Sequence, residues 1–221
     1  MGSIEGFFES IEAGDDERAL AMLRDDPSLA SARDAHGVSA LMRARYRLDQ
    51  GLVDAVVAAG AALDVFEAAA LGDVEQLRRR LDADPALATA FSADGFTALH
   101  FPAFFGGVGA ASLLLERGAD VDAHGRGWMT GTPLNSAAAG RHADVARALL
   151  DGGADADARQ GSGWTPLHSA AHNGDLEMVD LLLARGADAA ATNDDGATVL
   201  SMAEDGGNTE VMSRVRAALD A

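Results

Sequence analysis

Residues 163–187 read GWTPLHSAAHNGDLEMVDLLLARGA, and each half of that string spells a short helix. The Thr165 hydroxyl can cap a helix N-terminus, and Pro166 suits the first turn, where a missing N–H costs nothing. Ala170 and Ala171 are small enough to let a neighbouring helix approach. Gly174 ends this first helix. Asp175 can cap a second one, in which Leu176, Val179, Leu182 and Leu183 recur at helical spacing before Gly186 stops it. Two short helices and a Gly/Asp-rich turn form a unit that cannot bury its apolar face alone, whereas stacked units can.

Working outward, the same unit returns. Residues 131–154 read GTPLNSAAAGRHADVARALLDGGA, residues 95–119 read GFTALHFPAFFGGVGAASLLLERGA, and residues 196–217 read GATVLSMAEDGGNTEVMSRVRA. The anchor leucines Leu99, Leu134, Leu167 and Leu200 are spaced by 35, 33 and 33 residues. The run Thr165-Pro166-Leu167-His168-Ser169-Ala170, followed by Leu-Leu-Leu-x-x-Gly-Ala-Asp at this period, resembles the ankyrin repeat. The match is weaker at Thr198-Val199-Leu200-Ser201, as expected of a terminal cap. The resemblance implies an all-α ankyrin-repeat solenoid with short β-turn fingers. It also implies a concave groove, lined by first helices and finger tips, that binds a partner protein. The motif histidines His100 and His168 would brace the turn backbone, and Asn135 stands at the same place in its own unit.

The N-terminal half is less regular. Residues 7–41 and 65–99 align at an offset of 58, with Glu9, Gly14, Asp15, Leu23, Asp26, Pro27, Leu29 and Gly37 recurring as Glu67, Gly72, Asp73, Leu81, Asp84, Pro85, Leu87 and Gly95. A duplicated two-repeat block explains this. The anchor series becomes Phe7, Leu41, Val65, Leu99, Leu134, Leu167 and Leu200, which gives about seven helix pairs. The expected organisation is one domain over 1–221, with an N-terminal capping repeat at 1–36, irregular repeats at 37–90, regular repeats at 91–191 and a C-terminal cap at 192–221. Only 24 residues separate Leu41 from Val65, so the finger is expected to be missing at Gly60–Asp64. Irregular turns are expected near Pro27 and Pro85, and a local distortion is expected where Pro102 removes an N–H from a first helix.

Composition narrows the function. Of 221 residues, 35 are Asp or Glu and 17 are basic, all of them Arg, for a net charge of -18. Such a field repels a phosphate backbone, so no nucleic-acid partner is expected. Without Lys there is no P-loop or Schiff-base lysine, and without Cys there is no thiol nucleophile or Cys-ligated zinc. Residues 1–12 carry no basic stretch or long apolar run, and no segment is long and apolar enough for a span, so a cytoplasmic location away from membranes is expected. Neither catalytic residues, metal ligands nor a cofactor are expected. His168 and His172 have ligand spacing but lack a third partner. Asp120–Gly131 lacks the glutamate of a calcium loop, and the glycines Gly125, Gly127 and Gly131 lack a dinucleotide-binding context.

Groove positions fall two, five and six residues after each anchor. They comprise Arg43, Tyr46 and Arg47; Glu67, Ala70 and Leu71; Phe101, Phe104 and Phe105; Ser136, Ala139 and Gly140; and Ser169, His172 and Asn173. Phe101, Phe104 and Phe105 form either an apolar hot spot or part of the core. Trp128 and Trp164 either anchor a partner or cover the next finger. Arg43 and Arg47 beside Tyr46 either receive an acidic ligand or pair with nearby carboxylates. The expectation is a protein-interaction scaffold, not an enzyme, using these residues together with His172. The alternative is a small-molecule binder or enzyme, with an apolar ligand in a pocket around Phe101, Phe104 and Phe105.

Overall fold

The computed structural model describes residues 3–127 and 130–220. Among them lie fourteen α-helices in seven consecutive pairs: α1 (Ile4–Ala13) with α2 (Asp16–Asp25), α3 (Ala40–Tyr46) with α4 (Gln50–Ala58), α5 (Val65–Leu71) with α6 (Val74–Ala83), α7 (His100–Phe105) with α8 (Val108–Glu116), α9 (Pro133–Gly140) with α10 (Ala143–Asp151), α11 (Pro166–His172) with α12 (Leu176–Ala184), and α13 (Val199–Asp205) with α14 (Thr209–Leu219). The odd-numbered helices form an inner row, each touching the next. The even-numbered helices form an outer row, with contacts from α2 to α4, α6 to α8, and on through α10 and α12 to α14. All seven anchors, Phe7, Leu41, Val65, Leu99, Leu134, Leu167 and Leu200, sit on or at the start of inner helices, and all but the half-buried Leu200 are buried. No described helix is long and apolar enough to cross a membrane.

Eleven of these fourteen helices start where a side chain replaces a missing carbonyl partner; α7, α8 and α10 have no such cap. Thr132, Thr165 and Thr198 each accept a backbone N–H three residues on and donate their own backbone N–H to that residue's side chain, which makes a capping box. In the third unit Asp64 and Glu67 make the same box. His100 and His168 do more than cap. Nδ1 of each accepts from the backbone N–H of Thr97 or Thr165 at 3.2 Å, while Nε2–H donates to Gly131 O at 3.1 Å or Ala197 O at 3.3 Å in the following unit. Asn135 reproduces this, accepting from Thr132 N and donating to Ala158 O. Each such side chain therefore ties a repeat to the loop of its successor.

Fingers at 33–39, 91–97 and 192–198 are closed by the bridges Arg33–Ser39, Phe91–Thr97 and Thr192–Thr198. The third unit has no such bridge, and Gly60–Asp64 leads straight into α5. That short link is held instead by side chains: Ala62 N–H donates to Ser31 Oγ at 3.2 Å, and Leu63 O accepts from Arg80 Nε at 2.9 Å. With one finger missing, its neighbours close up, and a methyl placed on Gly37 would lie 3.1 Å from the Ala93 methyl. The turns after Asp26 and Asp84 are 3-10 helices, Pro27–Ser31 and Pro85–Ala88, each capped by the preceding aspartate. Pro102 shortens α7 to six residues: Ala98 O has no i+4 N–H to receive, and His100 N instead bonds Thr97 O at 3.1 Å.

Candidate functional site

The inner helices bring two sets of side chains to the groove. The first is built on α3 and α7. Tyr46 and Phe105, at the C-terminal ends of these helices, pack with their rings tilted at 38° and their centroids 6.1 Å apart. Phe104 meets Phe105 edge-on at 5.2 Å. Together with Phe96, His100, Phe101 and Ser136 they enclose a pocket of about 100 Å³. The Arg45 guanidinium lies over the Phe105 ring, 4.3 Å from its centroid. Its Nε is buried without a hydrogen-bond partner, and burial lowers its pKa. The Tyr46 hydroxyl donates to Asp94 at the finger tip of the fourth unit, so a helix of the second unit is latched to a finger two units away. Burial, then the Asp94 carboxylate, raises the Tyr46 pKa. Small residues border the rings: Ala139 is exposed, and Gly140 is packed so closely that a methyl there would fall 2.3 Å from Phe104 O.

Not every expected groove residue faces the groove. Phe101 is only 3% exposed, and its ring packs edge-on against Phe66 and Phe96, so it is core and forms the pocket floor. Glu67 and Ser136, at the same register two residues after an anchor, are buried too, whereas Arg43 and Ser169 at that register are half-buried. Arg43 is not free for an acidic ligand. Its guanidinium is paired with Asp34, with Nε at 2.7 Å from Oδ2. Arg47 reaches Asp16 at 3.4 Å. Trp128 lies outside the described residues. Trp164 is half-buried and stands apart from the phenylalanines, with His168 at 6.2 Å and the exposed His172 edge-on at 5.9 Å. Trp164 and His172 form the second, smaller set.

Beside the aromatic pocket lies a notch, also of about 100 Å³, where the third finger would stand. Val38, Met42, Phe66 and Phe101 supply its apolar side; Arg33, Asp64, Glu67 and Asp94 supply its polar side, where Asp94 accepts from the hydroxyls of Tyr46 and Ser92. Arg33 contacts Asp64 Oδ2 at 2.9 Å and Glu67 Oε1 at 3.5 Å. Burial raises the pKa of Glu67, which is only 4% exposed. The repeat pattern singles out neither Arg45 nor Asp94. The 24-residue interval between Leu41 and Val65 is the sequence signal for the notch. Among the described residues no cluster of three or more His, Asp or Glu side chains is arranged to hold a metal ion.

Comparison with known proteins agrees with this architecture. The family described as "Ankyrin repeats (3 copies)" matches residues 65–160 and 134–216. A rice protein (Oryza sativa subsp. japonica) named "Probable E3 ubiquitin-protein ligase XBOS31" is 44% identical over 93 residues, which is 42% of this chain and 20% of that protein. "Protein phosphatase 1 regulatory subunit 27" is 35% identical over 92 residues in Mus musculus and 40% identical over 92 residues in Homo sapiens. Those matches cover 42% of this chain and 58% of each relative. The chain thus spans a fifth of the rice protein and under two thirds of the other two.

Proposed function

The chain belongs to the ankyrin-repeat family, and from that premise we propose that it is a protein-interaction module whose groove docks a partner protein on the pocket bounded by Tyr46, Phe104 and Phe105. The observation that carries this reading is a pair of half-buried phenylalanine rings beside an opening of about 100 Å³. Clustered aromatic side chains around a small, dry pocket are the usual anchors of protein interfaces. Metabolite sites generally run to about 300–1,000 Å³, so this pocket suits one inserted side chain better than a whole small molecule. Trp164 and His172 would extend the contact along the groove. The relatives named as a ligase and a phosphatase regulatory subunit share under half of this chain, so neither activity is carried over. What they have in common with it fits a role in holding proteins together, and no enzymatic activity is proposed.

The test is competitive binding with a partner recovered by affinity capture and then purified. Replacing Phe104 and Phe105 together by Ala should weaken binding at least tenfold while leaving the circular dichroism of the protein unchanged. Full affinity in that double variant would sink the assignment. A saturable rise in melting temperature with a metabolite, lost in the same variant, would favour the small-molecule alternative.

A further inference from the structure

One cation beside the aromatic pocket is left unmatched by the protein. Arg45 lies between Arg43 and Arg47, and both of those pair with carboxylates, Asp34 and Asp16. Among the described residues no carboxylate pairs with Arg45 and no carbonyl accepts from it. Its side chain is nevertheless half-buried, with Nε wholly shielded from solvent. The two terminal nitrogens are unbonded as well, but they are not buried and so face solvent. The Phe105 ring, 4.3 Å from the guanidinium carbon, offers no acceptor oxygen to any of the five N–H donors. Asp49, the nearest carboxylate along the chain, does not fill the gap. It caps α4 through Oδ1, and its Oδ2 is buried without a partner of its own. Arg45 has therefore given up part of its hydration and received only a ring in return.

Phe105 joins this cation to the pocket: its ring borders the opening with Tyr46 and Phe104, and it also carries the guanidinium. We propose that Arg45 is a carboxylate subsite, which takes an aspartate or glutamate of a partner-protein segment whose nearby apolar residue fills the pocket at Phe104 and Phe105. This rests on the reading of the groove as a protein-docking surface. An apolar residue seated in the pocket brings the residues on either side of it to the rim, where Phe105 and Arg45 stand. The planar guanidinium meets a carboxylate through paired N–H···O bonds, which a lysine ammonium cannot match in geometry. The chain's net charge of -18 constrains the rest of the segment. Its field opposes a run of acidic residues, so the docking carboxylate stands in a segment that is otherwise neutral or basic. The ion pair itself forms at contact, well inside the screening length of about 8 Å.

The experiment is selection of a random dodecapeptide library, displayed on phage, against the full chain. Synthetic copies of the selected peptides are then titrated against five proteins: the unchanged chain, Arg45→Gln, Arg45→Lys, Phe104→Ser, and Arg147→Gln as a charge control on the exposed face of the outer row. Selected peptides should carry a single Asp or Glu close to Leu, Phe or Trp. Their affinity should fall at least tenfold in Arg45→Gln and in Phe104→Ser, but not in Arg147→Gln, and Arg45→Lys should recover only part of the loss. Each peptide is also made with its carboxylate replaced by the amide. That change should weaken binding to the unchanged chain at least tenfold and cost nothing further in Arg45→Gln, the signature of a direct pair. If Arg45→Gln disturbs the Phe105 ring, the amide peptide on the unchanged chain still decides. Peptides that depend on Phe104 but tolerate the amide, or that carry no acidic residue, overturn the carboxylate subsite and leave the groove reading standing. Peptides indifferent to Phe104, or no selected peptide at all, overturn both.

Discussion

His100 shows how one side chain can make the stack sensitive to acid. Burial pushes its pKa down from 6.5 to about 4. The unfolded chain therefore takes up this proton near pH 6.5 and the folded chain only near 4. Between those values the unfolded state binds more protons, so the stability that His100 contributes is complete above pH 6.5 and is lost as the pH falls toward 4. The loss amounts to roughly 3 kcal/mol at the lower end. Asn135 already does the same bracing without titrating, which makes His100→Asn the natural control. Urea unfolding at pH 7 and pH 4.5 should show a smaller acid loss in the variant; equal losses would remove His100 from the account. Leu48 and Arg141 point to a second effect at this scale. They take φ of 57° and 63°, at the turn between paired helices where the other five units place glycine. Leu48 is also 73% exposed, so packing returns little for the strain. Leu48→Gly should raise the free energy of unfolding by about 0.5–1 kcal/mol, the relief of the left-handed conformation less the extra chain entropy of glycine. An unchanged or lower urea midpoint would show that the turn stores no strain.

At the scale of the element, the period and the caps carried most of the information. Thr165, Pro166 and Gly174 marked the bounds of a helix because each acts locally, on backbone within four residues of itself. The seven pairs followed from spacing alone, including the units that keep no Thr-Pro-Leu-His. Register also picked out Tyr46, Phe104, Phe105 and His172, since positions five and six past the anchor point away from the adjoining helix unless it is close. Register could not say that position two is buried, as Phe101 and Glu67 are, because that depends on the size of what the next repeat places against it. Nor could it find the Tyr46–Asp94 bond or Arg45 over Phe105, which join residues 48 and 60 apart through a unit with a missing finger. Tight packing between α7 and α9 yields a prediction here. The Gly140→Ala methyl would collide with Phe104 O, so the two helices must part, at a cost of about 1–3 kcal/mol. Thermal denaturation should show a melting temperature several degrees lower, and an unchanged value would mean that the contact is looser than described.

For the molecule as a whole, the row of repeats is not uniform. In a solenoid each unit touches only its neighbours, so stability is shared through successive interfaces. The outer row is continuous from α6 to α14, but α4 and α6 hardly meet. Across that seam the first two units are held by Arg33, by Ser31 accepting from Ala62 N–H, by the inner-row contact of α3 with α5, and by the latch from Tyr46 to Asp94. Tyr46→Phe should cost about 1 kcal/mol for the lost hydrogen bond. Hydrogen exchange should then quicken in α1 to α4 and stay unchanged in α9 to α14. A uniform rise along the chain would mean that the repeats open together and that the seam has no independent existence.

The gap at Gly60–Asp64 also makes the molecule open to engineering. Since α5 is capped by its own Asp64 and anchored by Val65, it does not depend on a loop in front of it for its start. A seven-residue copy of 33–39 spliced in at Gly60 would therefore add a hairpin without asking any helix to re-form. It would also wedge Gly37 away from Ala93 and turn a recess into a ridge, so that one insertion exchanges the contour presented to other proteins while the scaffold beneath it stays as it is.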